Sequence, residues 1–288
     1  KLGDFEKAAK SLDRLLTLDP NSILGHYYLG RVRAKSQLYL AAEESYRKAL
    51  ELNPKSEAVL MELALVYELQ GKTEEAVQSY KRLLQGNAKN AWATKRLGEL
   101  YVGQNKLDEA VAQFQKLETI EADPREARTK IGLIYYEKGD YERAASEFNL
   151  VLAADPENDR VRYYLGSTYS EMKAYERAME EFSRIQEKSD YYADARIQLA
   201  YLYDRRGEIP KAIEAVLQAM QKRKEEKDLL ALLASLYRKA KDYPKAIEVW
   251  QRAAVLDPKS DQTHFQLGAL YDENKNKDKS IEHMKKAI

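Results

Sequence analysis

The 288 residues carry 48 Lys and Arg against 47 Asp and Glu, a net charge of +1, and no cysteine. A charge-balanced chain lacks the cationic surplus on which duplex binding rests, so nucleic acid is not the expected partner. Without thiols there are no disulfides, thiolate nucleophiles or thiolate metal sites. Apolar residues make up 44%, enough for a folded core, and no apolar run approaches the roughly 20 residues needed to span a bilayer.

The first predicted element is a single helix within 1–22. Its start, KLGDFEKAAK, lacks the basic opening and apolar middle of a signal peptide. From residue 23 onward the chain reads as helix pairs. Leu63, Val66 and Tyr67, then Val77, Tyr80 and Leu84, fall at helical spacing, with the short break QGKT between them. The breaks KGDY and KAKD recur further along. Pro210 and Pro244 stand where second helices would start, a place that tolerates proline because that N–H has no intrahelical partner. The pairs occupy 23–56, 57–90, 91–124, 125–158, 159–192, 193–226 and 227–260, with an incomplete one at 261–288. Both ends break off inside a pair, so the expectation is a single array, 1–288, drawn from a longer protein.

The register is held by columns spaced 34 residues apart. A small residue recurs at Gly30, Ala64, Gly98, Gly132, Gly166, Ala200, Ala234 and Gly268. Tyrosine follows three places later at Tyr67, Tyr101, Tyr135, Tyr169, Tyr203, Tyr237 and Tyr271, with Arg33 the exception. Alanine recurs from Ala8 to Ala246 and Ser280 closes that series. Four places on stands a bulky residue: Leu12, Tyr46, Tyr80, Phe114, Phe148, Phe182, Val216, Trp250 and Met284. Small residues permit close helix contact while the aromatic ones fill the space between pairs. A pair cannot bury its apolar face alone, so pairs stack.

This pattern resembles the tetratricopeptide repeat family, whose period and Leu-Gly, Tyr, Ala, Phe and Pro signature it follows. The helix-ending proline appears as Pro20, Pro54, Pro156 and Pro258; Ala88, Ala122, Asp190 and Lys224 replace it elsewhere. The resemblance implies an all-α fold, a right-handed superhelical solenoid of antiparallel helix pairs, with first helices lining a concave groove. It also implies that the tyrosine column is packing rather than a stacking ladder for bases or sugars.

Catalytic signals are scarce. There is no Gly-rich phosphate loop, no nucleophile elbow and no zinc helix. His26 and His264 share one place early on the first helix, where a packed ring is expected, and His283 is expected to be exposed. Scattered histidines supply no metal site, and no cofactor is expected. The pairs Glu43–Glu44, Glu74–Glu75 and Glu180–Glu181 point about 100° apart on a helix and read as solvated surface charge. The run QKRKEEKD from Gln221 reads as a polar inter-repeat loop.

The informative positions are those that the packing does not require. On the expected groove lining these are Tyr27, Arg31, Met61, Leu65, Trp92, Lys95, Glu99, Val102, Leu133, Tyr136, Arg160 and Tyr163. They vary from repeat to repeat, as a surface shaped for one partner does. Aromatic and Met side chains supply contact area and the cations fix register, a surface suited to an extended or helical peptide. The Lys/Asn/Arg carboxylate clamp of some family members has no counterpart, since Arg31, Leu65 and Glu62 stand at the corresponding places. The expected function is therefore a non-catalytic protein–protein interaction scaffold in a bacterial multiprotein assembly. An envelope-associated, carbohydrate-binding role in polysaccharide or pilus assembly stays open beside it, as does the choice between bacterial cytoplasm and periplasm.

Overall fold

The computed structural model describes residues 2–223 and 226–288, which contain helices and no strand. Lys224 and Glu225 of the polar run after Gln221 lie outside the described residues. The chain divides into two compact units, 1–139 and 140–288. The first holds α1 (Leu2–Leu18), α2 (Ile23–Lys35), α3 (Tyr39–Leu52), α4 (Glu57–Leu69), α5 (Thr73–Gly86), α6 (Ala91–Gly103), α7 (Leu107–Ile120) and α8 (Arg125–Glu137). The second holds α9 (Tyr141–Ala154), α10 (Asp159–Glu171), α11 (Tyr175–Ser183), α12 (Tyr192–Arg205), α13 (Ile209–Lys222), α14 (Lys227–Lys239), α15 (Tyr243–Leu256), α16 (Asp261–Glu273) and α17 (Lys277–Lys286). Within each unit every helix packs chiefly on its chain neighbours, as a stacked repeat requires.

The turn inside each pair is built the same way every time. Gln37, Gly71, Asn105, Gly139, Lys173, Gly207, Lys241 and Lys275, one per repeat, all have φ between 57° and 75°. The next residue's N–H reaches back to the carbonyl five residues earlier, Arg33 for Leu38 at 2.9 Å and the tyrosine column in later turns, as in Lys72 to Tyr67 at 2.8 Å and Asn276 to Tyr271 at 2.7 Å. This is the Schellman closure, which satisfies the last helical carbonyls. Only three of the eight positions are glycine, so five non-glycine residues bear the left-handed backbone that closure demands.

The packing columns behave as their chemistry dictates. From Ala42 to Ala246 the alanines are fully buried, and Tyr46, Tyr80, Phe114, Phe148 and Phe182 are almost completely enclosed. The small residue gives each ring its room. A Cβ on Gly98 would stand 3.0 Å from Phe114, and one on Gly166 2.8 Å from Phe182. Tyr67, Tyr101, Tyr135, Tyr169 and Tyr271 are buried, while Tyr203 and Tyr237 are half-buried.

One element departs from the period. α11 has 9 residues where its counterpart α9 has 14. Competing hydrogen bonds account for the early end. Arg196 of α12 donates to the Ser183 and Ile185 carbonyls at 3.2 and 3.3 Å, and the Gln186 N–H goes to Asp159 at 3.3 Å. Ile185 turns into the core at 2% exposure, and the chain then brings Tyr191 against α10.

Two of the adjacent carboxylate pairs are not free surface charge. The Glu43 and Glu181 side chains are only 12% and 13% exposed. Glu43 accepts from Lys72 at 2.7 Å and Gln70 at 3.1 Å, and Glu181 from Arg162 at 2.9 Å. Each therefore ties two helices together. Glu44, Glu74, Glu75 and Glu180 are exposed.

Candidate functional site

In the first unit the residues expected to line a groove sit on α2, α4, α6 and α8, the first helices of successive pairs. Helical spacing puts Tyr27 and Arg31, Met61 and Leu65, and Lys95 and Glu99 on one stripe per helix, because residues four apart are neighbours. All are half-buried except Arg31, which is exposed; Trp92, Val102, Leu133 and Tyr136 are half-buried too. Two of them rest on rings of the buried aromatic column. The Tyr27 ring lies 6.3 Å from Tyr46, and Trp92 meets Tyr80 edge-on at 5.4 Å. Such amphipathic rings anchored at one side leave the other available for contact.

The charges on this lining are largely committed. Arg31 lies 5.7 Å over the Tyr27 ring and pairs with Glu62 at 3.3 Å. Glu99 accepts from Arg96 at 2.7 Å, and Arg96 also pairs with Glu68. Glu68 accepts in turn from the Tyr80 hydroxyl. Burial and that carboxylate push the Tyr80 phenol far above its ordinary range, so Tyr80 stays a neutral donor. This Tyr80–Glu68–Arg96–Glu99 network is a polar seam joining α4, α5 and α6. Sequence reasoning singled out Glu99, and Tyr80 as a packing residue, but missed Glu68 and Arg96; the three-residue spacing of Arg96 and Glu99 was the available signal.

Arg160 and Tyr163 stand on α10, in the second unit. Tyr163 joins a cluster with Phe182 at 5.6 Å and Tyr191 at 5.5 Å, and Tyr164 lies 6.2 Å from Tyr191. Burial raises the Tyr163 phenol above its usual value, with Asp194 adding to the shift. Tyr191 reaches this cluster only because α11 ends early, which no sequence pattern announces.

The structure also places two cavities where the sequence reading put none. One, of about 520 Å³, lies between α3 and α5 over α4, floored by Leu50, Leu60, Leu63 and Tyr67. The other, of about 570 Å³, is its counterpart one repeat earlier between α1 and α3, lined by His26, Leu29 and Arg33. Arg33, the exception in the tyrosine column, reaches across that space to Ser45 at 2.9 Å and the Ala41 carbonyl at 3.3 Å.

The shared histidine place has a specific role. His26 and His264 each set Nε2 against the carbonyl of the helix-ending proline, Pro20 at 2.9 Å and Pro258 at 3.1 Å. His283 is not the exposed residue expected, for it is half-buried against His264 and Tyr271. Among the described residues no group of three or more His, Asp or Glu is placed to hold a metal ion. No helix there is long and apolar enough to cross a membrane.

Known proteins share this pattern. A TPR repeat-containing protein of Methanocaldococcus jannaschii is 38% identical over 73 residues, 25% of this chain and 13% of that protein. Cellulose synthase operon protein C of Xanthomonas axonopodis pv. citri is 36% identical over 74 residues, 26% of this chain and 5% of that protein. The chain thus matches a small part of each relative's length. In fold it resembles the C-terminal part of a TPR repeat-containing protein from Cytophaga hutchinsonii. The TM-score there is 0.71 at 18% identity, over 84% of this chain and 99% of that one. Family models described as tetratricopeptide repeat match residues 1–57, 27–91, 67–131 and 135–190, and one described as TPR repeat matches 234–275. With that register and the helix pairs it specifies, the chain belongs to the tetratricopeptide repeat family.

Proposed function

We propose that the chain is a non-catalytic scaffold whose first helices take an extended or helical segment of a protein partner. The fold is one that supports protein–protein interaction. The observation that carries the reading is the stripe of Tyr27, Met61, Leu65, Trp92, Val102, Leu133 and Tyr136. It is half-buried, with Tyr27 and Trp92 resting on Tyr46 and Tyr80, and it varies from repeat to repeat where the packing columns do not. Aromatic side chains anchored in this way are the usual energetic centres of interfaces. Arg160 and Tyr163 offer a separate contact within the second unit. The 34-residue register runs through both units without slip, which supports reading them as one repeat series.

The test compares partners captured by the wild-type chain with those of a Met61→Ala/Trp92→Ala/Tyr136→Ala variant. A Glu74→Ala/Glu75→Ala variant of the exposed second-helix surface serves as control. Loss of a partner from the first variant alone is expected. Identical partner sets from all three chains would remove the lining from consideration.

A carbohydrate-associated envelope role is the second reading. The local similarity to cellulose synthase operon protein C favours it, as do the Tyr163, Tyr164 and Tyr191 rings. Titration with oligosaccharides, followed by tyrosine fluorescence, discriminates: a saturable response abolished by Tyr163→Ala supports it, and a flat trace at millimolar sugar rejects it.

A further inference from the structure

We propose that His264 and His283 form a two-imidazole site for a divalent transition metal of the zinc class, clipping α16 to α17. The two Nδ1 atoms face each other at 3.1 Å. His264 Nε2 lies 3.1 Å from the Pro258 carbonyl oxygen. A carbonyl only accepts, so Nε2 carries the hydrogen and the lone pair of neutral His264 is on Nδ1. A backbone carbonyl that fixes the tautomer of one nitrogen and thereby frees the other is the usual second shell of a metal-ligating histidine.

The partner ring is equally constrained. His283 stacks on Tyr271 at 5.4 Å with 23° between the planes, and both histidines are half-buried on packed helices. Zinc–nitrogen bonds of about 2.0–2.1 Å put two tetrahedral nitrogens roughly 3.3–3.4 Å apart. Opening from 3.1 Å therefore requires a few tenths of an ångström, together with a turn of each ring that swings its Nδ1 lone pair off the Nδ1–Nδ1 line to one common point. Two cations flank the site and both act on His283: Lys286, which pairs with Glu282 at 2.7 Å, and Lys279, which lies over the Tyr271 ring at 5.3 Å.

Without metal, the His283 Nδ1–H donates to the His264 lone pair. On loading, that proton leaves Nδ1 for solvent, another is taken up at Nε2, and the freed Nδ1 lone pair joins the metal. Both imidazoles are neutral before and after, so no net proton is released. Two protein ligands leave the remaining positions to water, which makes the site open. Imidazole nitrogen suits zinc, whereas magnesium prefers oxygen. His26 is the internal comparison. It holds the same place in its repeat and the same bond to a proline carbonyl, but its repeat has no second histidine.

The experiment titrates the full chain with Zn²⁺, and in parallel with Mg²⁺, at neutral pH, following the histidine ring resonances. Zn²⁺ is expected to switch His283 from the Nδ1–H to the Nε2–H tautomer pattern and to shift His264, leaving His26 unmoved. A ligand that binds only the folded state raises the melting midpoint with concentration. Zn²⁺ should do so and Mg²⁺ should not, and His283→Gln or His264→Gln should abolish the rise. Unmoved His264 and His283 resonances at millimolar Zn²⁺ would overturn the site. So would an equal midpoint rise in the His283→Gln chain, which would mark binding to surface groups.

Discussion

The same substitution should have opposite effects at two places in the glycine column. Gly→Ala in a helix interior gains about 0.8–1 kcal/mol from propensity. The opposing cost depends on what the new Cβ meets. At Gly30 it would lie 2.5 Å from Tyr46 Cε1 and 2.6 Å from Cδ1. Tyr46 is fully buried, with Tyr27 on one side, so the ring cannot turn away. Overpacking of that kind costs roughly 1–3 kcal/mol. Gly30→Ala should therefore destabilise by about 1 kcal/mol net. At Gly98 the nearest Phe114 atoms are 3.0 to 3.3 Å away, a gap closed by a small ring shift. There propensity wins, and Gly98→Ala should stabilise by about 0.5 kcal/mol. Urea unfolding followed by circular dichroism measures both changes, and amide exchange in α3 and α7 assigns them to the first unit. Effects of the same sign and size at the two sites would refute the idea that ring clearance, rather than helix propensity, sets the residue at this place in the repeat.

Two further outcomes follow from the turns and the pinned carboxylates. Lys241→Gly and Gln37→Gly should each stabilise by up to about 1 kcal/mol, and Gly71→Ala should destabilise similarly; all three positions have φ from 60° to 72°, and urea midpoints give the sign. For Glu43, burial acts to raise the pKa, but the hydrogen bonds from Lys72 and Gln70 outweigh it and hold the carboxyl below its ordinary 4.5. A depressed carboxylate contributes stability that is present above its unfolded pKa and lost as pH falls through the folded value. Glu43→Gln should accordingly cost up to about 1 kcal/mol near pH 7 and almost nothing below the folded value. Urea midpoints of the two chains at both pH values check this; a pH-independent difference would assign the effect to packing.

Much of the fold was legible because a stacked repeat writes its contacts into a fixed period. Ala42 to Ala246 and the aromatic column recur at one place in each repeat, so 34-residue spacing indicated the helix pairs and the buried columns. Pro210 and Pro244 likewise marked helix starts, and both fall in the first turn of their helices. The lining residues could be placed on their helices for the same reason, from Tyr27 to Tyr136. What the period could not carry is anything that happens once. The early end of α11 depends on where the Arg196 guanidinium reaches, and the arrival of Tyr191 beside Tyr163 depends on that end. Glu43 looked like one of many surface carboxylates until Lys72 and Gln70, on the next repeat, closed over it. His264 and His283 are 19 residues apart in sequence, and only the antiparallel packing of α16 on α17 sets their Nδ1 atoms face to face. Repetition determines the scaffold; single side-chain encounters between its helices, which no local pattern encodes, determine the seams, cavities and paired rings on it.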